Sequence, residues 1–260
     1  VIMPTYNAGK YLADSMNSIL NQTYKNLELL ITDDASTDPT TLQLLEEYAS
    51  KDERVKILYL KENHGAGYAR NKSIERAKGR YIAFCDSDDR WTTDKLEKQI
   101  DFMNKKKCAL TCASYIIFDG ETQDEIGFCT APKKITYGMM KRDNKVGCLT
   151  AIYDVQMLGR KFFMPTIRKR QDWALFLQII RECKVCYAYP DKPLAYYCMR
   201  RNSISSNKMS LMKYNIAVYK EILGFHPIKA NLYFFTLFLP TYGAKILKRK
   251  FDSYTFTHHK

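Results

Sequence analysis

The run Asp86-Ser87-Asp88 closes an apolar stretch, Tyr81-Ile82-Ala83-Phe84-Cys85, and presents two carboxylates one residue apart on a tight turn. Hard oxygen ligands in that arrangement suit Mg²⁺ or Mn²⁺ and leave coordination positions open for phosphate oxygens. The same three residues would serve equally as an Asx turn capping a following helix, so the motif alone does not decide between the two. Two further apolar runs end on polar residues. The first leads into Pro4-Thr5-Tyr6-Asn7 and the second into Asp33-Asp34. In an open parallel sheet, strand C-termini meet at one crevice, which would bring Thr5, Asp34, Asp86 and Asp88 together. Asp172 opens a helical pattern and is therefore either a cap or, favoured in its ionised form by the helix dipole, a general base.

The elements that position these groups follow from periodicity. Strands are expected at residues 1–3, 27–32, 55–60, 81–85 and 109–118, alternating with helices in the manner of an α/β fold. Leu12, Met16, Ile19 and Leu20 mark one helix face, and Leu96, Ile100 and Met103 mark another. Asp38-Pro39 and Thr93-Asp94 read as helix starts. From residue 119 to 135 the pattern fades into a polar, Gly- and Pro-containing stretch, expected to be a hinge. Trp173, Phe176, Leu177 and Ile180 share one face of a helix that begins near Asp172. Short strands are expected at 187–189 and 194–197, then a polar basic loop over 200–208.

With 260 residues, 46% hydrophobic and 27% charged, the chain has the composition of one large globular catalytic unit with a smaller appendage. The formal charge of +13 is concentrated after Met199, where eleven Lys and Arg face only Glu221 and Asp252. Such a bias suits nucleic acid, an anionic membrane or a polyphosphate, and charge alone does not choose. The eight cysteines are scattered. The single C-x-x-C, Cys183 to Cys186, has no second pair, so packed reduced thiols in a cytoplasmic setting are expected. Position 1 falls inside an apparent strand, and no secretory signal is visible. Gly65-Ala66-Gly67 lacks the third glycine of a dinucleotide fingerprint, and the four histidines have no triad or metal spacing.

Taken in order, V-I-M-P-T-Y-N, I-T-D-D-A-S-T-D and G-R-Y-I-A-F-C-D-S-D-D resemble the inverting family 2 glycosyltransferases of GT-A fold. The resemblance extends to Asn63-His64-Gly65, Ala69-Arg70-Asn71, Gln171-Asp172-Trp173 and Asn202-Ser203-Ile204-Ser205, and so to most of residues 1–207. It implies a Rossmann-like, mostly parallel sheet flanked by helices. Donor contacts are implied for Pro4, Thr5, Tyr6, Asn7, Asp34, Arg70, Asp86, Ser87, Asp88, Arg200, Arg201, Ser203 and Ser205. Asp34 would accept a hydrogen bond from a uracil N–H. Asp88 would be the direct metal ligand with Asp86 in support, the cofactor being Mn²⁺ or Mg²⁺, and Asp172 would be the catalytic base. Relatives often carry Tyr-Arg-x-His where this chain has Tyr197-Cys198-Met199-Arg200, which leaves open which basic residue meets phosphate. The Gln/Arg-x-x-Arg-Trp signature of processive members is absent, so one sugar per encounter is expected.

The resemblance divides the chain into a nucleotide-sugar half (1–118), an acceptor and base half (119–208) and a helical C-terminal extension (209–260). The extension contains Leu-Tyr-Phe-Phe-Thr-Leu-Phe-Leu at 232–239, too short to span a bilayer, flanked by Lys229, Lys245, Lys248, Arg249 and Lys250. It is expected to lie on an anionic membrane surface, with packing on the catalytic domain as the competing reading. The implied partners are a UDP-sugar donor and a glycan acceptor on a polyprenyl diphosphate at the inner face of the cell membrane, with no nucleic acid. Two other functions are weighed. A sugar-nucleotide pyrophosphorylase wants a Gly-rich, Arg-containing loop that Pro4 to Lys10 does not provide. A non-catalytic module for anionic lipid or nucleic acid leaves the acidic cluster unexplained, since clustered carboxylates repel phosphate.

Overall fold

The computed structural model describes residues 1–200 and 208–258, with side-chain surroundings described for 1–200 and 212–256. Three parallel strands open the chain: β1 (Ile2–Thr5), β2 (Leu29–Asp33) and β3 (Val55–Tyr59). They pair in the order β1-β2-β3, with Met3 opposite Ile31 and Ile31 opposite Ile57. Helices α1 (Tyr11–Leu20) and α2 (Pro39–Lys51) make the crossovers, and Asp38 caps α2 by accepting the Thr41 amide, as the Asp-Pro pair predicts. Helix α3 (Ala66–Arg76) then carries the chain back past β1 to β4 (Tyr81–Ala83), where Phe84 bridges Ile2 in parallel. The order therefore reverses at β1, with β2 on one side and β4 on the other. That reversal is where an open α/β sheet leaves its ligand crevice.

Beyond β4 the sheet continues through β10 (Ile152–Asp154), β6 (Leu110–Cys112), β11 (Val185–Ala188) and β9 (Lys134–Thr136), of which β10 and β9 run antiparallel to their neighbours. A second sheet orders β5 (Arg90–Trp91), β12 (Ala195–Met199), β7 (Tyr115–Asp119) and β8 (Glu125–Cys129). Alternation along each strand divides the core. Ile2, Leu30, Ile82 and Phe84 face α3 and the later helices, whereas Met3, Leu29, Ile31 and Ala83 face α1, α2 and α4 (Lys95–Lys106).

Two sequence expectations are corrected. The apolar run 109–118 is not one strand: β6 belongs to the first sheet and β7 to the second, with the step at Ala113-Ser114. Ser114 serves that step through its carbonyl, which accepts the Leu194 amide, and its Oγ, which accepts the Ala131 amide. The stretch 119–135 is no bare hinge, because it contains β8, which forms a hairpin with β7, and the start of β9. At Asp94 the predicted helix start holds, but its carboxylate makes no cap bond and instead pairs with Lys98 and Lys192.

After α5 (Tyr137–Arg142), a 3₁₀ turn (Cys148–Thr150) and α6 (Val155–Leu158), the long helix α7 (Gln171–Cys183) buries Trp173, Phe176, Leu177 and Ile180. The extension comprises α8 (Lys208–Ala217), α9 (Pro227–Tyr233) and α10 (Leu239–His258), with π-helical turns at Val218–Ile222 and Phe234–Phe238. It packs on the catalytic domain. Trp173 lies edge-on to Tyr219 at 5.7 Å between centroids and 5.5 Å from Phe238. Further along, α10 rests on β8, where Ser253 Oγ accepts the Phe128 amide. All eight cysteines are free, and five are buried. Among the described residues no helix is long and apolar enough to cross a membrane.

Candidate active site

The loop after β1 is built by its own polar residues. Asn7 has φ +46°, a left-handed conformation that Asn tolerates better than most residues. Its Oδ1 accepts the amides of Thr37 and Asp38, and its amide donates to Ser36 Oγ. Ser36 in turn donates to Asp33. Pro4 and Thr5 are buried in β1, and Tyr6, which follows the strand, is 52% exposed. Thr5 Oγ1 is buried and has no hydrogen-bond partner among the described residues.

Asp34 is 2% exposed and lies beside Thr5, whose carbonyl accepts the Asp34 amide. Its carboxylate accepts the amides of His64 at 2.8 Å and Gly65 at 2.7 Å. Gly65 is the N-cap of α3 at φ +90°, so Asp34 caps that helix from another strand. The structure thus ties the Asp-Asp motif to Asn63-His64-Gly65, a bond between distant segments that neither motif announces. Gly67, one turn further, leaves room for the Gln171 side chain: a Cβ there would stand 2.2 Å from Gln171 Cδ. The first turns of α3 and α7 therefore touch.

Arg70 projects from α3 into this junction. Its guanidinium is buried, pairs with Asp86 and comes within 4.0 Å of Met164 Sδ, while its Nε has no partner among the described residues. Burial acts against its charge, but Asp86, with Cys148 and Asp172, holds its pKa above the ordinary value. Asp86 and Asp172 thus act on one guanidinium from different elements. Cys148 is close enough to feel Arg70, Asp86 and Asp172, and burial pushes its thiol upward.

The Asp86-Ser87-Asp88 turn is closed by the Asp89 amide donating to the Asp86 carbonyl. Asp89 itself is buried and accepts the Cys198 amide at 2.8 Å, joining the turn to β12. Asp88 pairs with Arg200, Oδ2 to Nη2 2.6 Å, and Arg200 also lies 5.4 Å from the Tyr11 ring. Burial, then the neighbouring Asp86, raises Asp88 above the usual carboxylate range in spite of Arg200. Burial, then Asp88 and Asp86, push Asp89 further up. Three acids are thus crowded into a partly dry crevice.

Asp86 Oδ2 and Asp88 Oδ1 remain outside the two ion pairs, so the donor set is two hard carboxylates. Among the described residues no three His, Cys, Asp or Glu side chains form a metal cage. Two carboxylates fit a divalent cation that takes its other ligands from phosphate and water. Arg201, Ser203 and Ser205 lie outside the described residues.

Asp172 sits in the first turn of α7, whose N-cap is Arg170 at φ +68°. Asn144 Nδ2 donates to Asp172 Oδ2 at 2.8 Å. A cavity of about 400 Å³ opens between Thr166-Ile167-Arg168, in the segment that leads to α7, and Lys213, Tyr214, Ala217 and Glu221 of the extension. Arg170 joins its two walls through Nε to Asn215 Oδ1 at 2.7 Å. Asp89, Asn144 and Gln171 escaped the sequence reading as site residues; Asp89 and Gln171, adjacent to Asp88 and Asp172 in quoted motifs, carried a signal, and Asn144 carried none.

Comparison with known proteins agrees with this geometry. The Glycosyl transferase family 2 model matches residues 1–163. A Bacillus subtilis glycosyltransferase named for teichuronic acid biosynthesis is 43% identical over 233 residues, covering 89% of this chain and 90% of its own length. An Escherichia coli UDP-Glc:α-D-GlcNAc-diphosphoundecaprenol β-1,3-glucosyltransferase is 38% identical over 213 residues, covering 82% and 81%. Among solved structures, S. aureus TarS 1–349 in complex with UDP-GlcNAc shares the fold with a TM-score of 0.67 at 21% identity, over 89% of this chain and 69% of that one. The family model and the two relatives make the chain a member of glycosyl transferase family 2.

Proposed function

We propose that this glycosyltransferase moves a single sugar from a UDP-sugar to a glycan carried on a polyprenyl diphosphate, with inversion, in the synthesis of a surface polysaccharide. The observation that supports it most is the meeting of Asp86, Asp88, Arg70, Arg200 and Asp172 at the β1/β4 reversal, reinforced by the activity for which the E. coli relative is named. In this reading Pro4, Thr5, Tyr6, Asn7 and Asp34 line the nucleoside end, and the vacant acceptor capacity of Asp34 meets a base N–H. Asp88 and Asp86 would hold Mn²⁺ or Mg²⁺, which supplies charge neutralisation for the diphosphate. Ser87, Arg200, Arg201, Ser203 and Ser205 contribute hydrogen bonds at that end, with Arg200 already on Asp88.

Asp172 takes the proton of an acceptor hydroxyl as that oxygen bonds to the anomeric carbon. The C–O bond to the diphosphate breaks on the opposite face, and its electron pair leaves with UDP. Residues 1–118 form the donor half, 119–208 the acceptor half, and 209–260 the extension. The cavity that Arg168, Lys213 and Tyr214 line together with Glu221 offers two cations against one carboxylate to the acceptor's diphosphate. The extension's inner residues, Ala230, Phe234 and Phe238, are buried, while Ile228, Leu232, Phe235 and Leu239 form an exposed apolar stripe on the outer side. With Lys248, Arg249 and Lys250 nearby, that stripe suits an anionic membrane surface where a lipid-linked acceptor resides.

Asp172→Asn tests the reading. Donor binding should be retained and transfer from UDP-glucose to GlcNAc-diphosphoundecaprenol, or to another lipid-linked sugar the native chain accepts, should be lost. Near-normal turnover would remove Asp172 as the base, and a product that retains the donor's anomeric configuration would remove inversion.

A further inference from the structure

We propose that Asn144, anchored by Lys245 of the C-terminal helix, is a positioning residue for Asp172, so that the extension forms part of the catalytic apparatus. This rests on the reading of Asp172 as the base. Asn144 lies in the turn between α5 and the 3₁₀ segment, and three of its polar atoms are committed. Its Nδ2 donates to Asp172 Oδ2 at 2.8 Å. Its Oδ1 accepts the Val146 amide at 3.1 Å, which fixes the amide so that the NH₂ group, not the oxygen, faces the carboxylate. Its main-chain carbonyl accepts Lys245 Nζ at 2.6 Å.

Lys245 is itself held in place. Its Nζ lies 3.2 Å from Asp143 Oδ2, and Lys145 Nζ lies 3.1 Å from the same oxygen. Asp143 is only 3% exposed, so its carboxylate needs these cations, and their demand fixes the turn that carries Asn144. On the other side of Asp172, Trp173 donates to the Met140 carbonyl of α5 and packs against Tyr219 and Phe238. The first turn of α7 is therefore clamped between α5 and the extension at two points, one polar and one aromatic. With Oδ2 tied to Asn144, turning the carboxylate about its Cβ–Cγ bond breaks that hydrogen bond, so Oδ1 is the oxygen favoured for the acceptor's proton. A base free to rotate spends much of its time misdirected, and small misplacements of a reacting group cost up to about a hundredfold in rate.

The test uses the full chain with Asn144→Ala, Lys245→Met, Lys245→Arg and Asp172→Asn. Turnover is read as UDP release from UDP-glucose, UDP-galactose and UDP-GlcNAc with Mn²⁺ in the presence of GlcNAc-diphosphoundecaprenol or another lipid-linked sugar that the native chain accepts. The expected result for Asn144→Ala is a fall in kcat of about tenfold to a hundredfold, with donor KM and melting temperature close to native. Lys245→Met should lower kcat by a smaller factor in the same way, and Lys245→Arg should restore it. A kcat within twofold of native in Asn144→Ala, or a loss matched by equal losses of donor affinity and melting temperature, overturns the proposal. If Asp172→Asn turns over normally, the base assignment has failed; if it is inactive while Asn144→Ala is active, only the positioning role has failed. Independently of turnover, the side-chain amide resonances of Asn144 should move on Asp172→Asn, and unmoved resonances would refute the contact.

Discussion

Replacing Asp34 with alanine probes how the donor crevice is held open. The Asp34 carboxylate accepts two backbone amides, from His64 at 2.8 Å and Gly65 at 2.7 Å, while only 2% exposed. Hydrogen bonds to an ionised group contribute about 1.5–3 kcal/mol each. Because His64 and Gly65 lie near the surface, water reaches part of what the carboxylate leaves, and the lower end applies. Two bonds at that value give a loss of about 3 kcal/mol. For a chain of this size each kcal/mol moves the melting temperature by roughly 2–4 °C, so a fall of about 6–12 °C is expected. Asp34→Asn should lose about half as much, since a carboxamide oxygen accepts one amide while its NH₂ confronts the other. Urea denaturation with an unchanged m-value, run beside calorimetry, reads both variants. A loss under about 1 kcal/mol in Asp34→Ala would refute the idea that this carboxylate caps α3 and so fixes Arg70.

Other consequences follow from the core and the extension. Lys95 is fully buried, its Nζ lies 4.0 Å from the Trp91 ring centroid without a hydrogen-bond partner among the described residues, and burial lowers its pKa from 10.5 to about 7. Between those two values the unfolded chain binds the proton that the folded chain has lost, so this residue makes stability rise with pH. The native chain should therefore gain on Lys95→Met by roughly 1.4 kcal/mol per pH unit across that window, measured by denaturation at pH 7, 8 and 9. A stability difference independent of pH would show that Lys95 is not buried as described. On the outer face of the extension, Leu232→Asp combined with Phe235→Asp should abolish binding to vesicles containing anionic lipid while leaving the fold intact, as co-sedimentation and circular dichroism would show. Undiminished vesicle binding would exclude the stripe as the contact.

The parallel core was legible because strands covered on both faces read as continuous apolar runs, and Asp38-Pro39 marked a helix start that the structure reproduces. The run 109–118 misled because the change of sheet at Ala113-Ser114 involves neither Gly nor Pro, and strand periodicity does not register which sheet a residue joins. The strand-end carboxylates were readable from their positions. Their partners were not: Asn144 reaches Asp172 across 28 residues and Lys245 reaches Asn144 across 101, distances at which local pattern carries nothing. The extension's apolar run held two messages at once. Its inner residues pack on Trp173 and its outer residues stay exposed, a division that depends on the π-helical turn at Phe234–Phe238.

The central claim is that the Asp86-Ser87-Asp88 turn binds a nucleotide-sugar diphosphate through a divalent cation. Calorimetric titration of UDP-glucose and UDP-GlcNAc into the native chain and Asp88→Ala, with and without Mn²⁺, tests it most directly. Binding should occur in the native chain, strengthen at least tenfold with Mn²⁺ on the order expected for a charge-neutralised diphosphate, and lose that metal response in Asp88→Ala. Binding of equal strength in all four conditions, or no binding of either nucleotide-sugar to the native chain, would contradict it.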